Sequence, residues 1–431
     1  SDEDGSSVFV NTIWDFKTIG TNKFNSNNPA VIGNLTGIFR GTFLRNFGFQ
    51  ISGSNGKIFA NKNTALIERD LFLNFKLNES ANQTFFDNTS GHLSLDFEKI
   101  RVRAGREFTK VGYGINSPIL SDHSPKSDHI SLNLNLGIFS FQYIHAKLLG
   151  NKSYLPDSIT GGVHSISEKY FGYHRIGMDV SNHLRFGFGE MVVYSNRSVD
   201  LSYLNPFSFY KSVEHSGQDR DNSLLFFDVV NNSIPGLIIY STLLMDDIDY
   251  SKLGSGWWGN QILFQLGASS FNLYKIIPLD FHIEFMRIDP YVFTHRLISN
   301  NYTNFGYPLG TELKPNSLNI STKLNYRVSK SIQCSFEYNH STHGANEINS
   351  NGDVTKNVGA DINLGHRTFD NDKVKFLEGI FQKTYTTSFY ILYEYSRSIS
   401  IALYTKYTSD YDVLYKKINY WNANFLFQLT M

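Results

Sequence analysis

Apolar and polar side chains alternate through residues 419–431, and this pattern restricts the fold more than any other feature of the chain. Successive side chains of a β-strand point to opposite faces, so this stretch is predicted to be a strand with one apolar face. That face carries Trp421, Ala423, Phe425, Phe427, Leu429 and Met431. Such a C-terminal strand is typical of the strand that closes a membrane barrel and removes the exposed sheet edge. The edge strand of a soluble sandwich would show the same alternation.

The alternation recurs along the chain in about 18 segments, each with the roughly 9–11 residues that a tilted membrane strand requires. We expect residues 36–51 to form one long strand and residues 71–77 to form another. Short turns are predicted near Lys99, Gly137, Asn182, Asn232, Ser329 and Arg397. Long loops are predicted at residues 109–128, 149–170, 195–222, 293–316 and 342–385. Bacterial membrane barrels have short periplasmic turns and long outer loops, whereas a soluble β-protein has no reason to sort loops by length.

The amino-acid composition agrees with a membrane barrel. Charged residues make up 18% of the 431 residues and aromatic residues 15%. Soluble domains carry about 25% charged residues, and many aromatic side chains suit the girdles at the two membrane interfaces. No apolar run approaches the roughly 18 residues of a membrane helix, so a membrane-spanning form of this chain must be a closed barrel. The net charge is zero, which argues against nucleic acid as a partner.

We therefore predict an all-β protein: a transmembrane antiparallel β-barrel of about 18 strands that forms a single domain over residues 1–431. Its lumen is expected to be largely filled by inward-folded loops. The expected location is the outer membrane of a Gram-negative bacterium, with both termini in the periplasm. The opening residues Ser1 and Asp2 are interpreted as the start of a processed chain whose export signal has been removed.

Residues 190–222 form the densest polar and aromatic stretch. Two interpretations stay open: the stretch folds inward and pairs Arg197 or Arg220 with a carboxylate, or it binds sugar through amides, carboxylates and aromatic rings. The candidate ligand-binding residues of this stretch are Glu190, Tyr194, Arg197, Tyr203, Asn205, Glu214, Asp219 and Asn222. Further candidates on the same outer side are Arg287, Asp289, His295 and His366.

No pattern for catalysis or for a metal or cofactor site is evident. Ser121, Asp122 and His123 are adjacent in sequence, but a catalytic triad is recognised by geometry and not by adjacency. The histidines lack metal-ligand spacing, and the single cysteine, Cys334, allows neither an internal disulfide nor a zinc cluster. The strand residues expected to face the lumen carry both charge signs, which favours a salt-bridged interior over an ion-selective pore. They are Arg101, Arg103, Arg175, Asp179, Arg185, Glu337 and Glu394.

Three loop motifs carry a resemblance to a known family. They are Tyr203-Leu204-Asn205-Pro206-Phe207 followed by Glu214 and Asp219-x-x-Asn222, then Arg287-x-Asp289-Pro290-Tyr291-Val292, and residues 359–379. From about residue 90 onward the chain resembles the capsule-assembly Wzi-like family of outer-membrane barrels, in the versions found in Bacteroidetes-type bacteria. The resemblance implies an 18-stranded barrel with a lectin-like role in holding exopolysaccharide at the cell surface.

The sequence leaves four functional hypotheses. The first is a binding protein whose outer loops hold surface polysaccharide. The second is a scaffold subunit that docks onto other outer-membrane proteins or lipoproteins in a larger assembly or secretion machine. The third is a channel for a small solute, and the fourth is an outer-membrane hydrolase. We expect no enzyme activity and no cofactor; the expected partners are outer-membrane lipid and surface polysaccharide, but not nucleic acid.

Overall fold

The computed structural model describes residues 5–23, 28–74, 77, 82–155, 163–272, 277–412 and 416–431. Among them, 18 antiparallel strands form one sheet. In chain order these strands are β1 (Ser7–Thr21), β2 (Ala30–Phe43), β3 (Phe47–Ala60), β4 (Phe85–Asp96), β5 (Ile100–Glu107), β6 (Ser127–Leu136), β7 (Phe139–Leu155), β8 (Val163–Ser181), β9 (Leu184–Ser195), β10 (Asn222–Asn231), β11 (Leu237–Asp247), β12 (Gln261–Ser270), β13 (Leu279–Ile288), β14 (Ser317–Arg327), β15 (Ile332–Ala345), β16 (Ile380–Glu394), β17 (Ile399–Asp412) and β18 (Lys416–Thr430).

The first and last strands pair with each other and close the sheet into a barrel. Their antiparallel register runs from Ile13 opposite Thr430 to Thr21 opposite Asn422. Each remaining strand pairs with its two neighbours in chain order, so no edge is left exposed. The predicted barrel of about 18 strands is thereby confirmed.

Connections at the two ends of the barrel differ in length, as predicted, but the long loop predicted at residues 149–170 is wrong, because residues 149–155 and 163–170 belong to β7 and β8. One end carries short turns, such as those between β4 and β5 and between β6 and β7, and the other carries long connections such as residues 196–221 and 289–316. Both described ends of the chain lie at the short-turn end, because Ser7 pairs with Thr42 beside the β2–β3 turn. Which side of the membrane this end faces stays a prediction.

Two strand predictions near the N-terminus are wrong. Residues 36–51 form a hairpin between β2 and β3, and Leu44 and Arg45 at its turn have φ angles of 49° and 61°. The sequence does not mark this turn with the glycine that usually occupies positive-φ positions. Residues 71–74 do not form a strand: Arg69–Phe72 is helical, and Leu71 is buried against Ile19 inside the barrel wall. Residues 75 and 76 of this predicted strand lie outside the described residues.

Helical structure is confined to short segments in the connections. The α-helices that lie wholly within the described ranges are α1 (Lys62–Ala65), α2 (Arg69–Phe72), α3 (Leu201–Leu204) and α4 (Tyr210–Ser216), and the 3₁₀ turns there are Tyr250–Lys252 and Ile298–Asn300. Two small strand pairs join Thr303–Asn304 to Tyr307–Pro308 and Glu347–Ile348 to Val354–Lys356. No helix among the described residues is both long enough and apolar enough to cross a membrane.

The alternation of exposure along each strand separates an inner from an outer face. On β8 the exposed side chains of Ile176 and Met178 point outward, so Phe171 and Tyr173 point into the barrel. These two aromatic residues belong to the large inner core, which also contains Tyr302 from a long loop. Loop side chains therefore pack against the inner wall at the long-loop end.

The assignment of the apolar face of β18 to lipid can be tested directly. Phe427 is exposed on the outer face, whereas Gln428 faces inward and donates a hydrogen bond to Asp15 over 2.9 Å. A charge in the middle of the bilayer costs about 2–4 kcal/mol. We expect Phe427→Arg to reduce the heat-modifiable, folded fraction in the membrane several-fold more than Gln428→Arg. Equal assembly of the two variants would contradict the assignment.

Candidate functional site

Residues 111–121, here called the inner segment, are held against the inner wall by one carboxylate. Glu284 on β13 accepts hydrogen bonds from the backbone N–H groups of Ile115 and Asn116 at 2.9 and 3.1 Å. The Tyr240 hydroxyl and Gln265 Nε2 donate to the same carboxylate at 2.9 and 3.0 Å. Because three neighbouring strands converge on this carboxylate, the inner segment has a single well-defined position in the barrel.

The chain passes so close to the wall at Gly114 that only glycine fits. Its φ is +82°, and an added Cβ would collide with the carboxylate of Glu284 and the hydroxyl of Tyr240. Glycine adopts a positive φ without steric cost and permits close backbone approach. Gly114 therefore allows the backbone of the inner segment to lie directly against the wall. That this segment closes the lumen to ions stays a prediction.

Between the inner segment and the short turns lies a charged cavity of about 1010 Å³. Arg175 and Asp228 form a buried bidentate pair there, with Nε–Oδ2 and Nη2–Oδ1 distances of 2.7 and 2.6 Å. Arg175 Nη2 also donates to the Tyr113 hydroxyl at 3.3 Å, which links the pair to the inner segment. The expectation that the lumen side carries paired charges of both signs is confirmed at this pair.

Residues 196–221, here called the outer strap, lie on the outside of the barrel. The prediction that this loop folds inward is wrong. The Tyr143 hydroxyl, on the outer face of β7, donates to the Leu204 carbonyl at 2.7 Å, and Phe207 stacks on Phe141 at a centroid distance of 5.2 Å. Helix α4 begins over β9, where Tyr210 N–H donates to Glu190 at 2.9 Å.

The physical reason for this placement is a polar patch on the outer face. His174 and Glu190 are side by side on β8 and β9 in the register of the exposed apolar residues, and they are 2.9 Å apart. A bare carboxylate there would face hydrocarbon, so covering it stabilises the barrel. The strap is held by Arg197, whose two Nη atoms each donate at 2.8 Å to Asp221. The expected pairing of Arg197 with a carboxylate is correct, although it occurs outside the lumen.

A second cleft, here called the rim cleft, lies at the long-loop end between helix α4 and the loops after β11, β13 and β15. It has a volume of about 420 Å³. Its lining residues are Lys211, Glu214, His215, Asp219, Asn222, Ser223, Asp246, Asp247, Ile248, Trp258, Gln261, Thr294, His295, Arg296 and His366. Trp258 and His366 stack almost parallel, with ring centroids 4.0 Å apart and an interplanar angle of 6°. The cleft thus combines a flat aromatic pair with donors and acceptors of both charge signs.

Two groups of the rim cleft differ from their ordinary acid–base behaviour. Burial raises the pKa of Glu214, although the Lys211 ammonium 2.9 Å away opposes that shift. Burial lowers the pKa of His295 to about 4. At neutral pH His295 therefore presents an uncharged imidazole, which hydrogen-bonds as a neutral donor and acceptor.

Asn222 gives the cleft an unmatched hydrogen-bond donor. Its side chain is 3% exposed, and its Nδ2 has no hydrogen-bond partner in the structure. A buried amide without a partner costs about 1–3 kcal/mol, so a ligand oxygen that reaches this nitrogen would bind favourably.

The structure places the predicted ligand-binding residues in three groups. Five of them line the rim cleft: Glu214, Asp219, Asn222, His295 and His366. Glu190, Tyr194, Arg197 and Tyr203 hold the strap on the wall; three of them are almost fully buried, and Arg197 is paired. Asn205 lies exposed on the strap, where its Oδ1 accepts from Phe207 N–H at 3.1 Å. Arg287 and Asp289 pair with each other at 2.9 Å away from the cleft.

Sequence reasoning missed several residues of the cleft, of which Trp258 is the most informative. The others are Lys211, His215, Ser223, Asp246, Asp247, Ile248, Gln261, Thr294 and Arg296. A tryptophan in a long loop beside Asn260 is a signal that could have been used, because aromatic residues at loop positions often mark binding sites. No group of three or more His, Cys, Asp or Glu residues in the described ranges could hold a metal ion.

Comparisons with known proteins identify the fold. No protein-family model matches the sequence, and no curated protein sequence matches it. Among solved structures, Wzi of Escherichia coli, an outer-membrane protein involved in group 1 capsule assembly and a carbohydrate-binding β-barrel, matches with a TM-score of 0.58. Its identity is 11%, over 97% of this chain and 83% of Wzi.

Two proteins of Pseudomonas aeruginosa also match. OpdK with vanillate gives a TM-score of 0.55 at 8% identity over 99% of this chain and 98% of OpdK. OprD gives 0.52 at 7% identity over 99% of this chain and 96% of OprD. Likeness at such identities establishes the fold alone. The chain is therefore a closed 18-stranded β-barrel with the fold of outer-membrane proteins such as Wzi and OpdK.

Proposed function

We propose that this barrel binds carbohydrate in the rim cleft and so holds polysaccharide at the cell surface. In this arrangement the long loops face the exterior of a Gram-negative outer membrane, and both chain termini face the periplasm. The barrel acts as a binding protein and not as an enzyme. The carbohydrate-binding barrel Wzi, which shares the fold, supports the choice of ligand class.

The observation that carries this proposal is the composition of the rim cleft. The Trp258 ring, which stacks on His366, gives the cleft a flat aromatic wall, and the unpartnered Asn222 amide lines the same cleft. Carboxylates and cations of both signs lie around them, so hydroxyl groups can find donors and acceptors in several directions.

Binding of one saccharide unit should be weak. Its hydroxyl groups exchange hydrogen bonds to water for hydrogen bonds to protein, which yields only about 0.5–1.5 kcal/mol for each bond. Retention of a polymer then depends on many barrels that contact one chain, where effective concentration multiplies the weak contacts. The scaffold hypothesis predicts instead that the barrel retains a protein partner and binds no glycan.

The proposal predicts that Trp258→Ala weakens carbohydrate binding. We expect the dissociation constant for polysaccharide from the native cells to rise about tenfold or more, which corresponds to about 1.4 kcal/mol. Glycan arrays followed by calorimetry on the purified barrel in detergent would measure this change.

Trp257→Ala is the matched control. Trp257 lies on the same loop but contacts Lys252, with Nζ 3.9 Å from the ring centroid, and does not line the cleft. Its replacement should leave binding within about twofold of the wild type. If both variants bind as the wild type does, or if the wild type binds no glycan while it retains a protein partner, the carbohydrate proposal fails.

A further inference from the structure

We propose that residues 199–209 of the outer strap, here called the lower strap, are embedded in the bilayer, where they contact lipid acyl chains as part of the membrane-facing surface. This inference does not depend on carbohydrate binding. It rests on the depth of the strap along the barrel, on the polar groups that it covers, and on the apolar surface that it presents.

The depth of the strap follows from β7. The exposed side chains of Ile138 and Phe139 mark its short-turn end. Farther along, Lys147 is exposed on the outer face in one register row with Asp128 and Arg106, so this row of charges marks the other edge of the apolar belt. The strand between these limits rises about 20 Å when tilted by about 40°, which is less than the roughly 25 Å height of an apolar belt.

The strap lies within these limits. Phe207 stacks on Phe141, which comes two residues after the start of β7, and Leu204 accepts from Tyr143, two residues farther along. Both wall residues are at the depth of hydrocarbon. The strap therefore descends along the outside of the barrel below the level of the charged row.

Beneath the strap, the wall is polar in a place where lipid requires apolar groups. Glu190 is fully buried and accepts from Tyr210 N–H, from Lys211 N–H and from His174. His145 Nε2 and the Tyr194 hydroxyl hydrogen-bond at 2.8 Å in the same covered area. Hydrocarbon offers no partner to such groups, so the strap replaces lipid over this patch.

The outward surface of the lower strap is mainly apolar, although Ser202 and Asn205 are also exposed. Leu201 is 77% exposed and Phe207 is 73% exposed, and Leu204 and Phe209 are also exposed. The polar residues Gln218 and Asp219 lie beyond helix α4, toward the rim. This distribution is expected if acyl chains surround the lower strap and headgroups or water surround the residues nearer the rim.

Most backbone donors of the lower strap are satisfied within the protein, which suits a segment in hydrocarbon. The N–H groups of Tyr203 and Leu204 donate to the Asp200 carbonyl, and that of Asn205 donates to the Leu201 carbonyl. Around the adjoining turn, Phe207 N–H donates to the Asn205 side chain, Ser208 N–H donates to the Asn205 carbonyl, and Pro206 has no N–H.

Depth-dependent quenching tests the proposal. Single-cysteine variants Leu201→Cys and Phe207→Cys, made in a Cys334→Ser background, would carry a bimane label in phosphatidylcholine liposomes that contain nitroxide-labelled acyl chains. Phe186→Cys, on the exposed outer face of β9, is the lipid control, and Phe369→Cys, 76% exposed in a long loop, is the water control. We expect both strap positions to be quenched as strongly as Phe186→Cys and at least fivefold more than Phe369→Cys.

Quenching at the strap as weak as that of Phe369→Cys, in protein whose heat-modifiability shows an intact barrel, would overturn the proposal. The second measurement uses cells, where a photo-crosslinker attached at position 207 should form adducts with lipid. Adducts with another outer-membrane protein instead of lipid would also overturn it and would identify the strap as a protein-docking surface.

Discussion

Glu284→Ala is expected to release the inner segment and to open the barrel to ions. The substitution removes the common acceptor of five groups, namely the N–H groups of Ile115 and Asn116, the Asn116 side-chain amide, the Tyr240 hydroxyl and the Gln265 amide. Each buried donor left without a partner costs about 1–3 kcal/mol, so the bound position of the segment loses several kcal/mol. The wild-type protein should show no steady porin-like conductance in planar bilayers, whereas the variant should show frequent long openings.

Glu337→Ala provides the matched control for this measurement. Glu337 also faces the lumen, but its partner is Lys323 at 3.7 Å and it has no contact with the inner segment. Its conductance should equal that of the wild type. Steady conductance by the wild-type protein would show that the lumen is open, and the channel hypothesis would then replace the closed barrel. An unchanged trace for Glu284→Ala would show that the carboxylate does not hold the segment.

The second large effect is expected from Asp228→Ala. This change leaves the Arg175 guanidinium buried without its bidentate partner, and breaking a buried pair in this way costs about 3–5 kcal/mol. We expect the urea midpoint of unfolding in detergent to fall markedly. The double variant Arg175→Met with Asp228→Leu should recover most of the loss, because it leaves no uncompensated charge.

A second bidentate pair, between β8 and β9, serves as the comparison. Asp179 and Arg185 are bonded in the same bidentate manner, but their side chains are 38% and 50% exposed. Asp179→Ala should therefore cost only about 0–1 kcal/mol. Equal losses for Asp179→Ala and Asp228→Ala would show that burial does not decide the strength of these pairs.

The wrong prediction for the outer strap has a specific cause. Residues 190–222 contain many charged groups, and we assigned them to the lumen because charge is expensive in lipid. The alternation itself indicated otherwise: Phe186 and Phe188 point outward, and the same phase places Glu190 and Tyr194 on the outer face. Extending the inward–outward alternation of β9 as far as Glu190 would have predicted a covered polar patch outside the barrel.

The rim cleft could be predicted only in part. The motif that contains Glu214 and Asn222 predicts residues of one wall of the rim cleft. His295 and His366 are expected on the same outer side. Their proximity to Trp258 depends on how three loops of different length fold over the rim. The bonds that place these loops, such as Trp258 N–H to the Asp372 carbonyl at 3.0 Å, join residues far apart in sequence.

By itself, the sequence determined that this chain forms a closed antiparallel barrel with sorted loops, because a period of two and the spacing of turns are local properties that any stretch displays alone. Only the tertiary structure decided that residues 111–121 lie against the inner wall while the outer strap lies outside. Both segments are loops between neighbouring strands of the barrel. Their places depend on which wall residues offer partners, and those partners lie on strands distant in sequence, as Glu284 does for the inner segment.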